Sequence, residues 1–344
     1  GMIYRPVREK TPEVLCRQAK CLYESTGYDE ISLSSLSISD YSRLPELTDS
    51  LIGWSDQNMI NLSLPSLRVD SFTKELMDKV KSVRSSSLTF APEAGTQRLR
   101  DVINKNVLEE DLLRAVNVAF DAGKTSVKLY FMMGLPTETY EDLDGIALLA
   151  EKVLDAFYQN PNHSRGKAPQ VTVSVSCFVP KPFTPFQWEP QDTMEEMEKK
   201  QKHLASKITN RKIKFMHHDA RVSFVEAILA KGDRRMGKAL ELACREGFRF
   251  DAWTEYFDFD KWMSVFERSG IDVAFYANRR AKKEEVFPWD VIDCGVNKEF
   301  FLRENQKAYE GKTTKCCKEA CSACGANKLG GERTWCPNLS NGLK

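Results

Sequence analysis

The chain has 344 residues, 42% of them hydrophobic, and a formal net charge of +1. That is enough apolar chain for a sizeable core, in one large domain with additions or in two domains. The balanced charge gives no global field directed at nucleic acid or a membrane, and no apolar run approaches the roughly 20 residues a membrane helix needs.

The opening stretch GMIYRPVREKTPEV has no apolar segment of the kind a secretory signal carries. The ten cysteines therefore read as thiols or metal ligands rather than a disulfide framework, and the expected location is cytoplasmic. Cys16, Cys177 and Cys244 are expected as small buried apolar residues.

Thr11-Pro12-Glu13 opens a helix, with an N-cap oxygen, a proline at the first helical position and an acid in the first turn. Leu15, Ala19 and Leu22 share one face of it, and Gly27 ends it. Strands are predicted at 30–38, 58–67, 86–93, 125–134 and 170–180, with helices at 43–54, 71–83, 96–122 and 139–159 between them. Strands alternating with helices imply βαβ units and a parallel sheet. After Pro180 the texture changes. PKPFTPFQWEP, with four prolines, is an extended crossing, followed by a charged helix at 193–208, a short strand at 211–218 and two helices around the loop AKGDRRMGK. The domains expected are a core at 1–190, an α+β extension at 191–311 and a cysteine-rich tail at 312–344.

Ligands of parallel α/β sheets bind at the carboxyl ends of strands. Four such ends stand out. The first carries hydroxyls from Ser35 to Asp40, and the second delivers Arg68, suited to a carboxylate. The third presents Glu93, then Gly95 for close approach of a ligand, then Thr96 as a helix cap. The fourth, Met133-Gly134-Leu135, offers an apolar shelf with bare backbone. An amino acid joined to a nucleoside would suit that set.

The tail carries KCCKEACSACG at 315–325. Cys317, Cys321 and Cys324 are spaced C-x₃-C-x₂-C, which can hold three irons of a [4Fe–4S] cluster and leave the fourth open. Cys316, Cys321 and Cys324 are spaced C-x₄-C-x₂-C, and Cys336 could add a fourth sulfur to make a closed structural site.

LTFAPEAGTQRLRDVINK (88–105) followed by VKLYFMMGLPTET (127–139) resembles the core of radical S-adenosylmethionine (SAM) enzymes. Longer strings, among them PSLRVDSF, VPKPFTPFQW and PWDVIDCGVNKEFFLRE, resemble one uncharacterised family of cobalamin-binding-domain radical SAM proteins. The resemblance implies a partial (β/α)₆-type barrel, lacking its first strand and its cluster loop, which would lie just before Gly1; such a stretch is expected to be inactive alone. It implies reductive cleavage of SAM to a 5′-deoxyadenosyl radical that modifies a substrate, with a [4Fe–4S] cluster, an electron donor such as flavodoxin or ferredoxin, and cobalamin in the complete protein. By position, Arg68 would pair with the SAM carboxylate and Glu93 with its amino group or ribose. Gly95 and Met133-Gly134-Leu135 would line the sulfonium, ribose and adenine, with Ser35 and Lys105 at the same rim. In this family the tail cysteines Cys316, Cys321 and Cys324, with Cys317 or Cys336, imply a second iron–sulfur cluster or a zinc site. In GLPTET, Thr137 stands where the family commonly has glycine, which tightens that turn.

Two other readings follow from the residues. Arg234, Arg235 and Lys238, with the cations of NRRAKK (278–283), form basic patches that could meet RNA phosphates, or simply solvated faces. The aromatic stretch 248–266 and the tail could serve a module that only binds partners.

Overall fold

A computed structural model of the chain describes residues 5, 8–35, 38, 41–63, 88–164, 166–317 and 319–328. Helix α1 (Pro12–Thr26) starts where the sequence predicts, with Thr11 extended and Pro12 in the first turn. Gly27 ends it at φ 72 and donates its N–H to Tyr23 O at 2.9 Å, a left-handed turn that glycine takes without a Cβ penalty. Of the predicted face, Ala19 is buried while Leu22 is 58% exposed. Helix α2 (Leu44–Gln57) packs on α1 through Ala19, Leu47 and Leu51. Strands β1 (Glu30–Ser32) and β2 (Asn61–Ser63) pair in parallel beneath them. β1 stops well short of the strand predicted over 30–38. The helix predicted at 71–83 lies outside the described residues.

The main sheet has four parallel strands in chain order: β3 (Leu88–Glu93), β4 (Ser126–Met133), β5 (Gln170–Cys177) and β6 (Ile213–His217). Helices α3 (Gln97–Val102), α4 (Glu109–Asp121), α5 (Tyr140–Gln159), α6 (Met194–Lys207) and α7 (Ala220–Ala230) connect and follow them. Phe90, Leu129, Phe131, Val173 and Val175 are buried with Val116 and Phe120 of α4 and Ile146 and Val153 of α5. Each such side chain contributes about 1.5–3 kcal/mol on burial.

The other face of the sheet differs. Lys128 lies beside Thr172, Tyr130 beside Ser174 and Met132 beside Ser176, and Tyr130 and Met216 remain exposed. A parallel sheet covered on both sides would be apolar throughout, so this alternation marks an open face. The fold is α/β with parallel strands, as expected of a partial barrel.

Three details depart from the sequence expectations. The helix predicted over 96–122 is two helices, because Asn104 and Asn106 take left-handed backbone at φ 54 and 47 and Asp111 caps α4 at Leu108 N. β6 pairs with β5, so the sheet draws on chain beyond residue 190. Cys177 is buried as expected, but Cys16 is half-buried and Cys244 exposed. Cys244 falls beside the stripe Met236, Ala239 and Ala243 that α8 (Met236–Arg245) turns inward.

Helices α9 (Phe259–Arg268), α10 (Val273–Ala277) and α11 (Lys298–Tyr309) complete the described chain, before a 3₁₀ turn at Ala326–Lys328. A second core gathers Trp188, Phe287, Trp289, Phe300 and Phe301. The proline-rich crossing is pinned at Glu189, whose backbone oxygen accepts from Lys231 at 3.0 Å. Its buried carboxylate takes Arg280 at 2.9 Å, Tyr309 at 2.8 Å and Asn305 at 3.1 Å. No described helix is long and apolar enough to cross a membrane.

Candidate active site

The ends of β3 and β4 lie side by side. The ladder slips between Phe90 and Glu93, so that Glu93 stands opposite Phe131 with φ 70. A bulge of this kind re-aims the side chain at the strand end. The Glu93 carboxylate, a quarter exposed, accepts from Lys105 Nζ at 3.0 Å. The two rim residues predicted from the sequence therefore form one ion pair.

Behind them the loop is fixed by charges the sequence reading missed. Arg100 is 1% exposed. It donates to Ala94 O and Val107 O at 3.1 Å each, to Gln97 Oε1 at 3.1 Å and to Gly95 O at 3.4 Å. Burial lowers its pKa, and Glu109, Asp101 and Glu110 oppose that shift. Asp142 in the first turn of α5 accepts from Thr96, Arg98 and the Thr139 N–H, and Arg98 also donates to Thr137 O at 2.9 Å. Burial works to raise the Asp142 pKa, but these hydrogen bonds outweigh it and hold the carboxyl below the usual range.

The close approach at Gly95 is to the chain itself. A Cβ there would stand 2.3 Å from Ile146 N and 2.4 Å from Asp142 O. Gly95 thus seats the β3 loop on the backbone of α5. The β4 end is also more enclosed than a bare shelf. Strand alternation puts Met133 in the main core, and Leu135 is buried with Ala94, Leu99 and Phe178, so the half-buried methionine of the open face is Met132. Gly134, at φ 80, donates its N–H to Glu138 Oε1 at 2.7 Å. Glu138, with its side chain 1% exposed, is 2.9 Å from Lys200 Nζ, which is 2.6 Å from Asp192. Burial opposes the charge on Lys200, but the two carboxylates prevail and raise its pKa.

Thr137 has φ 68, the left-handed turn expected where glycine is usual. Ser35 lines a separate cavity of about 480 Å³ between α1 and α2. Arg68 and Cys336 lie outside the described residues.

The tail returns to this rim. Thr314 N donates to Asn104 Oδ1 at 2.8 Å, Asn106 donates to Thr314 O at 3.3 Å, and Lys307 donates to Thr314 Oγ1 at 2.8 Å. Farther on, Arg303 donates to Ser322 O at 2.7 Å, and Asn297 N to Cys324 O at 3.0 Å. Burial pushes the Cys317 thiol up; Arg5 opposes this, and the thiols of Cys324, Cys316 and Cys321 add to it. The described cysteines carry free thiols, and no three His, Cys, Asp or Glu side chains among the described residues gather to hold a metal ion.

Residues 2–150 match the family profile described as the radical SAM superfamily. An uncharacterized protein of Methanocaldococcus jannaschii is 30% identical over 269 residues, which are 78% of this chain and 56% of that protein. The chain thus spans about half the length of this curated relative. Among solved structures, the archaeal Elp3 of Methanocaldococcus infernus, with its N-terminus (1–46) deleted, aligns with a TM-score of 0.39 and 13% identity. That alignment covers 60% of this chain and 53% of the other.

Proposed function

The chain carries a radical SAM superfamily domain over residues 2–150, and on that premise we propose that the whole protein cleaves SAM reductively to a 5′-deoxyadenosyl radical that modifies a substrate. The observation that carries the site assignment is Glu93, a partly exposed carboxylate re-aimed at the joined ends of β3 and β4. Its donor set suits SAM: a carboxylate for an ammonium or ribose hydroxyl, with Lys105 beside it as a hydrogen-bond donor. Arg68 is assigned to the ligand carboxylate by its place in the sequence. Gly95, Met133, Gly134 and Leu135 hold the rim in shape from behind, as their packing supports, and Met132 takes the place of an apolar contact on the open face.

A [4Fe–4S] cluster supplies the electron for SAM cleavage in this superfamily. The described residues do not fit such a cluster, since no three ligating side chains among them gather. What the chain's own residues do is bind and orient: Arg100 and Asp142 fix the loop, and Glu93 and Lys105 face the ligand.

The test is SAM affinity, measured by equilibrium dialysis under anaerobic conditions on the chain and on the complete gene product. Glu93→Ala is expected to weaken binding about tenfold or more, the worth of one charge-assisted hydrogen bond. Unchanged affinity in Glu93→Ala and Arg68→Ala would sink the assignment.

The tail belongs to the same reading. We propose that an auxiliary iron–sulfur cluster or zinc would draw together Cys316, Cys321 and Cys324, with Cys317 or Cys336; the described thiols do not gather without it, their spacing supports the reading, and the Thr314 anchor supports a position beside the rim. Metal and sulfide are to be assayed after anaerobic reconstitution, beside a variant with Cys316, Cys317, Cys321 and Cys324 changed to alanine. Iron and sulfide, or zinc, that vanish in the variant support the site; no metal in either protein refutes it.

A further inference from the structure

A cleft of about 680 Å³ opens between the turn after α7 and the segment after α10. Two basic stretches far apart in sequence meet there, with Arg234 and Arg235 on one side and Arg279 on the other. Their charges are not equally spent. Arg235 Nη2 is 2.6 Å from Asp233, and Arg279 Nη1 is 2.8 Å from Glu285. Arg234 is exposed, and its side chain has no hydrogen-bond or ion-pair partner among the described residues.

Lys231 is 9% exposed and meets no carboxylate. Its ammonium donates to Glu189 O at 3.0 Å and to Arg279 O at 3.5 Å, which leaves one N–H for another acceptor. Arg279 Nε is buried beside it with no hydrogen-bond partner. A buried ammonium held only by carbonyl oxygens is costly, and an anion seated against it would offset that cost. The cleft therefore has two cations whose side chains touch no carboxylate among the described residues, Lys231 within and Arg234 at the lip.

The remaining wall is mostly apolar, with Val286 and Val291 beside several rings. Phe275 is exposed, with Arg279 4.1 Å from its centroid, while Phe287 and Trp289 stack on each other at 4.6 Å. Apolar rings around cations that make no direct ion pair suit a ligand that carries both a flat ring and a phosphate.

We propose that this cleft binds a nucleoside phosphate, its phosphate oxygens at Lys231 and Arg234 and its base against Phe275. The ligand is either a free nucleotide or a nucleotide within a single RNA strand. The site is separate from the SAM rim, so its occupancy is measured without SAM, and failure of one reading leaves the other standing. The charged groups facing Lys231 are Arg279, Glu285 and Glu189. Burial first, then Arg279, draw its pKa down to about 8, while Glu285 and Glu189 raise it. Affinity should therefore fall as the pH rises through that value, as the ammonium loses its proton.

The experiment is isothermal titration of the full chain with AMP, with inorganic phosphate and with a short single-stranded RNA. Expected is saturable binding of AMP, tighter than phosphate, and weaker at about pH 9 than at about pH 7. Arg234→Glu should weaken it at least tenfold. That variant removes no protein contact, so its melting temperature should match the parent's. Binding of RNA without AMP, with log affinity falling about 0.7 per phosphate contacted against log salt, would identify the strand as the source. Binding of neither, or affinities that Arg234→Glu leaves unchanged, overturns the proposal; phosphate binding as tightly as AMP overturns the role of the rings.

Discussion

Gly95→Ala should destabilise the protein with no ligand present. The added methyl would stand 2.3 Å from Ile146 N, 2.4 Å from Asp142 O and 2.6 Å from Gly145 C. All three atoms are main chain of α5, so no rotamer change relieves the clash. Loop and helix must part by about an ångström to reach ordinary contact. That movement stretches the bonds from Thr96 and Arg98 to Asp142. Overpacking costs about 1–3 kcal/mol, and a clash with rigid backbone belongs at the upper end. At about 2.1 cal/mol/K of unfolding entropy per residue over 344 residues, about 3 kcal/mol corresponds to a fall of roughly 4 °C in Tm. The assay is calorimetric unfolding of the ligand-free chain. Gly145→Ala is the companion: its methyl meets Thr96 Cγ2 at 2.8 Å and Gly95 C at 3.0 Å, and helix propensity returns about 0.5–1 kcal/mol, so its loss should be smaller. If Gly95→Ala melts within about a degree of the parent, the packing role is wrong and a ligand role for Gly95 becomes the better account.

Other outcomes follow from the same region. Arg100→Met strands the buried oxygens of Ala94 and Val107 and should cost about 3 kcal/mol, read as a lower urea midpoint; a parent-like midpoint would mean those carbonyls are satisfied otherwise. Asp142→Asn should cost about 2 kcal/mol at neutral pH. Because the Asp142 pKa is depressed in the fold, its contribution is complete above about pH 4 and fades as the pH falls through the folded value, so the variant should lose part of the parent's acid-limb steepness. Equal acid profiles would contradict this. Asn104→Gly keeps the left-handed backbone and removes the acceptor of the Thr314 N–H, one of three hydrogen bonds that hold Thr314. The tail should then be cut faster by a protease while Tm moves by about a degree or less; unchanged cleavage would show the tail is held elsewhere.

Local signals carried much of the architecture. Thr11-Pro12 and Gly27 bounded α1 because capping chemistry lies within a few residues. The core strands were legible because they alternate, and the ion pair of Glu93 and Lys105 was half-visible because both had been placed at one rim. What the sequence hid was partnership at long range. Asn104 and Asn106 broke a helix whose periodicity ran on, since the left-handed preference of asparagine is weak until Arg100 captures Val107 O. Gly95 looked like a ligand glycine because nothing local names the helix that fills its space. Gly134 looked bare because its acceptor, Glu138, is held by Lys200 from a distant helix. The meeting of Arg234 with Arg279 depends on how α8 and α10 fold back, which neither stretch encodes alone.

The pin at Glu189 has a consequence for how this sequence can drift. One carboxylate satisfies Arg280, Asn305 and Tyr309, drawn from two segments far along the chain, and Tyr309 is pushed up to about 12 by burial and then by Glu189 itself. Replace Glu189 with an apolar residue and a phenol and a guanidinium lose this acceptor at once, while the Asn305 amide keeps only Pro185 O at 2.9 Å. These four positions are expected to vary together: relatives that change one should change the others, and their joint variation would mark descent of this crossing more sharply than any single motif.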